Sequence, residues 1–122
     1  MKYLLFTLLV ATALTGCYYD NEEELYPRPA NCVPDTVSFA THIVPLMQTN
    51  CARSGCHTLG TSAAGVVLQG YPGVKAQAQN GQLIKVINHA PGVSPMPKGL
   101  PKLSDCEIEI IQKWVGAGAP QN

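Results

Sequence analysis

Cys51, Cys56 and His57 stand together in the run Cys51-Ala-Arg-Ser-Gly-Cys56-His57, two thiols and an imidazole within seven residues. Two thiols a short loop apart can add to the two vinyl groups of one porphyrin, and an imidazole directly after the second thiol is then held beneath the iron. Covalent attachment of one haem c through Cys51 and Cys56, with His57 as an iron ligand, is the chemistry this run suits best. The common spacing is C-x-x-C-H, and this chain inserts two further residues, with Gly55 supplying the backbone freedom a longer loop needs. Three other readings use the same residues. Cys51 and Cys56 can form a local disulfide in an exported chain. All three groups can serve zinc, although no further Cys or His pair stands at finger spacing. A Cys nucleophile with a His base is the third, and adjacency alone does not specify it.

A second ligand to iron is sought further along the chain. Residues 90 to 103 cannot be helical, because Pro91, Pro95, Pro97 and Pro101 remove donors and Gly92 and Gly99 loosen the remainder. Met96 lies between two of these prolines, which restrict its backbone to extended conformations and hold the thioether out on a stiff segment. A lone methionine is ordinarily core filler. With haem inferred upstream, Met96 becomes the expected sixth ligand. His89, which ends an expected helix shortly before Met96, and His42, inside the first helix, are the rivals, although a surface or hydrogen-bonded histidine is the usual fate of such residues.

The elements that must position these groups are short helices. Phe39, Ile43, Leu46 and Met47 recur at helical spacing after Ser38, a candidate N-cap, and predict a helix over 38–50 that Pro45 should kink or shorten. Residues 58–72, with Gly60, Gly65, Gly70 and the apolar run Val66-Val67-Leu68, read as extended chain over one haem edge. Short helices follow over 73–79 and 82–88, with Leu83, Ile84, Val86 and Ile87 as buried candidates. Ser104-Asp105-Cys106-Glu107 forms an S-x-x-E capping box, and Ile108, Ile111, Trp114 and Val115 give the closing helix an apolar face. Gly116 or Gly118 followed by Pro120 ends it, and Trp114 should pack against the first helix or the porphyrin.

The whole chain has 122 residues, 46% hydrophobic and 13% charged, with 8 basic against 8 acidic side chains, a balance that excludes collagen-like, low-complexity and polyanion-binding classes. Lys2, the apolar run Tyr3 to Leu14 and the small residues before Cys17 have the plan of a secretory signal peptide over 1–16. Leu14-Thr15-Gly16-Cys17 resembles the bacterial lipobox, so Cys17 should become the acylated first residue of the mature chain. Residues 17–37 carry five acidic side chains against Arg28 and read as a solvated tether; residues 38–122 carry six basic against three acidic and read as the folded domain. With Cys17 assigned to lipid and Cys51 with Cys56 to haem, Cys32 and Cys106 remain as candidates for a disulfide worth roughly 2 to 4 kcal/mol. From Cys32 onward the only aromatic residues are Phe39, Tyr71 and Trp114, and an enclosed porphyrin would supply the missing apolar bulk.

The ordered set Phe39-x3-Ile43-Val44-Pro45-Leu46, Asn50-Cys51 to Cys56-His57, Gly65-Val66-Val67-Leu68, Tyr71, Met96-Pro97, Leu103-Ser104 and Trp114-Val115-x-Ala117-Gly118-Ala119-Pro120 resembles single-haem c-type cytochrome domains, and most of all the lipoprotein-like, planctomycete-type group. The resemblance spans Phe39 to Asn122. It implies haem c on Cys51 and Cys56, His57 as proximal and Met96 as distal ligand, and an all-α cytochrome c-like fold: short helices and long loops wrapped around the haem, with first and last helices crossing.

Histidine and methionine together fill both axial positions, and the neutral thioether favours ferrous iron, so such a site passes single electrons. No poised acid and base pair, phosphate-cradling motif or partnered nucleophile accompanies it, so the expected role is electron transfer rather than catalysis, with no nucleic acid partner and no small-molecule substrate. The expected setting is a bacterial cell envelope, as a periplasmic or surface-exposed lipoprotein of the outer membrane. Lys98 and Lys102 flank Met96 and suit weak docking to an acidic face of a redox partner. A haem-based gas binder with a labile Met96 is the alternative function, and a haem-free disulfide scaffold used for adhesion is the third.

Overall fold

A computed structural model of the chain describes residues 31–122. The expected signal peptide 1–16, the lipidated Cys17 and residues 18–30 of the expected tether lie outside the described residues. Helices, joined by turns and loops, make up the regular structure of the described residues, and none of it is strand. The all-α expectation holds. Among the described residues no helix is long and apolar enough to cross a membrane.

Helix α1 opens as a wide turn, Phe39–Ile43, and runs without a break into Val44–Asn50. Its first donors are met from far along the chain: Asn122 Oδ1 accepts the Phe39 N–H at 2.8 Å and the main-chain oxygen of Asn122 accepts the Ala40 N–H at 2.9 Å. The kink expected at Pro45 is replaced by a local widening. Ile43 N–H reaches Ser38 O and Val44 N–H reaches Phe39 O, each five residues back, so Pro45 falls within the first turn of the α-helical part, where its missing N–H is no loss. Phe39, Ile43, Met47 and then Cys51 recur every four residues, and all four are buried.

Helix α2, Tyr71–Gln79, begins two residues ahead of expectation because Pro72 is accommodated in its first turn. A Cβ at Gly73 would collide with the Val67 carbonyl, so α2 rests directly on the backbone of the Val66-Val67-Leu68 run. Helix α3, Gln82–Ile87, is entered through Gly81 in a left-handed conformation (φ +75°) and buries Leu83 and Ile87. Asn88 is its cap, donating from Nδ2 to Ile84 O at 2.9 Å.

Helix α4, Asp105–Gly116, carries the expected capping box: Glu107 N–H donates to Ser104 Oγ and Ser104 N–H donates to Glu107 Oε2. It packs against the opening of α1. Trp114 is fully buried there, 5.6 Å from the Phe39 ring, while Phe39 meets Tyr71 edge-on at 5.0 Å. All three aromatic residues of the domain are therefore spent in one cluster joining α1, α2 and α4. The indole N–H donates to Pro120 O at 2.9 Å and the Tyr71 hydroxyl to Ala119 O, which folds the chain end back over the cluster.

Cys32 and Cys106 are joined, with their Cα atoms 5.8 Å apart and a sequence separation of 74. Val37 is buried and Lys113 Nζ donates to Pro34 O at 2.8 Å. The compact unit thus begins at Asn31, so the last residues of the segment expected as tether pack with the domain expected over 38–122. Residues 58–65 also depart from the extended chain expected of them. They form hydrogen-bonded turns and a short 3-10 turn, Ala63–Gly65, with Ser62 and Ala64 at positive φ.

Candidate functional site

The C-terminal end of α1 delivers Cys51 as the last member of its buried stripe, and this decides the thiol's chemistry. Burial, reinforced by the neighbouring Cys56 and Glu107, pushes the Cys51 pKa up to about 11. As a neutral thiol it suits the apolar core; the stability this contributes is complete below the ordinary thiol value of 9.0 and is lost as pH rises through about 11. Cys56 is half-buried, and neither thiol is bridged, so the local disulfide is not formed. Among the described residues no group of three His, Cys, Asp or Glu side chains converges as a metal cluster requires, so Cys51, Cys56 and His57 do not make a zinc set.

The loop between the thiols closes on itself. Cys56 N–H donates to Arg53 O, His57 N–H to Cys51 O at 3.2 Å, and Gly55 takes the left-handed turn (φ +82°) that the longer linker needs. Beyond it, Ala63 N–H donates to Cys56 O and Leu68 N–H to His57 O, pinning the following segment against the motif. The His57 Nδ1–H donates to the Val66 carbonyl at 3.1 Å. A carbonyl can only accept, so the neutral ring carries its proton on Nδ1 and leaves Nε2 with a free lone pair.

Cys51, Cys56, His57 and Met96 all line one cavity of about 400 Å³, walled by Leu68, Leu83, Val86 and Ile87. Exposed Arg53 and Lys98 belong to its rim. Met96 is half-buried; its N–H donates to Val86 O at 3.0 Å, and its carbonyl accepts the His89 Nε2–H at 3.1 Å. The two rival histidines are engaged elsewhere. His89 is tied to the Met96 backbone, and His42 Nδ1 accepts the Ser38 N–H at 2.9 Å at the start of α1. Trp114, in the aromatic cluster, resolves the choice left by the sequence in favour of α1.

The sequence reading missed the Val66 carbonyl altogether and took His89 for a rival ligand rather than a partner of Met96. The Val66 carbonyl is a main-chain group, which no residue type announces. His89 contributes through its hydrogen bond to Met96, and only its closeness in sequence to that residue signals it. No family model, curated protein or solved structure matches the chain.

Proposed function

We propose that the chain is a single-haem c-type cytochrome of a bacterial cell envelope, with a cytochrome c-like fold, that passes one electron at a time between redox partners. The observation that carries this reading is the meeting of Cys51, Cys56, His57 and Met96, from two segments far apart in sequence, on one apolar cavity. Its volume of about 400 Å³ and its aliphatic walls suit a largely buried cofactor. In this reading Cys51 and Cys56 hold the porphyrin through thioether bonds, and His57 Nε2 and the Met96 sulfur are the iron ligands. Haem c, when bound, supplies one-electron exchange between ferrous and ferric iron.

The chain's own residues do the rest. The Val66 carbonyl holds the His57 ring in one tautomer and one orientation and makes Nε2 a better donor. The Val86 carbonyl anchors the Met96 backbone, and the neutral thioether raises the reduction potential. Leu68, Leu83, Val86 and Ile87 exclude water, which keeps the surroundings similar in both charge states. With both His57 and Met96 available on the cavity to hold the iron, electron transfer would be favoured over the alternative of gas sensing. Lys98 and Lys102 are exposed on either side of Leu100, itself 49% exposed, and form a docking face for an acidic partner. Electron transfer should slow as salt rises. Cys17, acylated, would hold the domain at the membrane surface.

Export with haem-maturation machinery tests the reading. The expected product is coloured, keeps its Soret band after denaturation and acid acetone extraction, and has an intact mass that includes one haem. Colourless protein with Cys51 and Cys56 both open to alkylation would falsify it. Fast stoichiometric carbon monoxide binding to the reduced protein at neutral pH would favour the sensor instead.

A further inference from the structure

We infer that His89 is the positioning residue for Met96, a latch that keeps the thioether at the cavity by holding its carbonyl. The inference rests on the haem reading above. Its first support is the hydrogen bond itself, from the His89 Nε2–H to Met96 O at 3.1 Å, made by a half-buried ring. Its second support is the backbone. His89 sits just beyond the end of α3 with φ +54°, a left-handed conformation that disfavours side-chain-bearing residues and suits glycine. Gly81, Gly92 and Gly99 fill the same conformation with glycine, whereas Ser62, Ala64 and Ala119 adopt it with side chains that carry no ring. At His89 this conformation is accompanied by a ring contact, the hydrogen bond to Met96 O.

The arrangement makes a closed circuit. Val86 O accepts both the His89 N–H at 3.2 Å and the Met96 N–H at 3.0 Å, and the His89 ring then closes onto the Met96 carbonyl. Both polar main-chain groups of Met96 are thus held, one by the last turn of α3 and the other by His89, two residues past its end. The residues that follow are a turn-rich segment with one further main-chain tie, Leu100 N–H to Pro97 O. Without the ring, Met96 keeps a single anchor, and the state with sulfur away from the iron gains population.

The test uses the full, haem-loaded chain as wild type, His89→Gly, His89→Gln and Met96→Ala. Glycine suits the left-handed backbone, so His89→Gly removes the latch while leaving the fold at ease; glutamine restores a donor. Losing one neutral hydrogen bond should raise the Met-off population, and with it the rate of carbon monoxide binding to ferrous protein, roughly three- to tenfold. The weak far-red sulfur-to-iron band of the ferric protein should fall in parallel. His89→Gln should return both readings toward wild type, and the melting temperature of His89→Gly should stay close to wild type. A wild-type carbon monoxide rate in His89→Gly, alongside a large increase in Met96→Ala, overturns the latch and leaves the ligand assignment standing. No change in Met96→Ala overturns that assignment and the latch with it. Equal loss in His89→Gly and His89→Gln with a lowered melting temperature assigns His89 a purely structural role and overturns the inference.

Discussion

The two segments that bring ligating groups to the cavity are built in opposite ways. Residues 51–68 form a closed mesh: Cys51 O, Arg53 O, Cys56 O and His57 O all accept main-chain N–H groups from within the segment, and His57 is bonded through its ring as well. Residues 90–103 have no helix; Ala90 N–H to Lys85 O ties their start to α3, buried Leu103 seats their end, and between these the two polar groups of Met96 are the ties back to the end of α3. The mesh holds its side chains by redundancy. The second segment holds one side chain by two bonds and by prolines that restrict its backbone. A site assembled this way should be hard to loosen on one side and easy to open on the other.

The sharpest way to break the contrast is to remove one ligand from each segment. His57→Ala should abolish nearly all coloured product, because the mesh then presents thiols without an iron donor. Met96→Ala should still load haem and differ chiefly in rapid carbon monoxide binding; similar yields and spectra for both variants would erase the distinction. A smaller effect is expected outside either segment. Replacing Cys32 and Cys106 together by alanine should cost about 2 to 4 kcal/mol in denaturant unfolding while leaving both axial ligands spectroscopically intact. Smaller again is Gly73→Ala, whose methyl group would push on the Val67 carbonyl and cost about 1 to 3 kcal/mol. Its spectral signature should appear on the His57 side, since Val66 is displaced with Val67, and the sulfur band should be spared.

Much of the scaffold was legible because it depends on local pattern. The capping box at Ser104 and Glu107, the apolar stripe of α1 and the breaks imposed by Pro91 to Pro101 are all short-range signals, and each is where the pattern put it. Tertiary context governed the rest. Pro45 was absorbed by a widened turn, which periodicity does not reveal. Ser62 and Ala64 adopt left-handed conformations that only the surrounding hydrogen bonds make affordable, so residues 58–65 fold up where an extended chain was expected. Val37 joins the core because the Cys32–Cys106 bond and Lys113 bring its segment to α4, although its acidic neighbours upstream suggested a solvated tether. At the site, side chains were legible and main-chain partners were not: His57 announces itself, whereas the Val66 carbonyl has no letter of its own.

The depth of Cys51 has a bearing on how the molecule is made. On the proposed reading, an exported chain would meet an oxidant that must join Cys32 to Cys106 and yet spare Cys51 and Cys56. Disulfide exchange needs thiolate, and a sulfur that stays protonated until about pH 11 and lies at the end of a buried stripe offers almost none. In the folded domain Cys51 is thereby shielded from disulfide exchange, which on the proposed reading would leave it available for haem attachment.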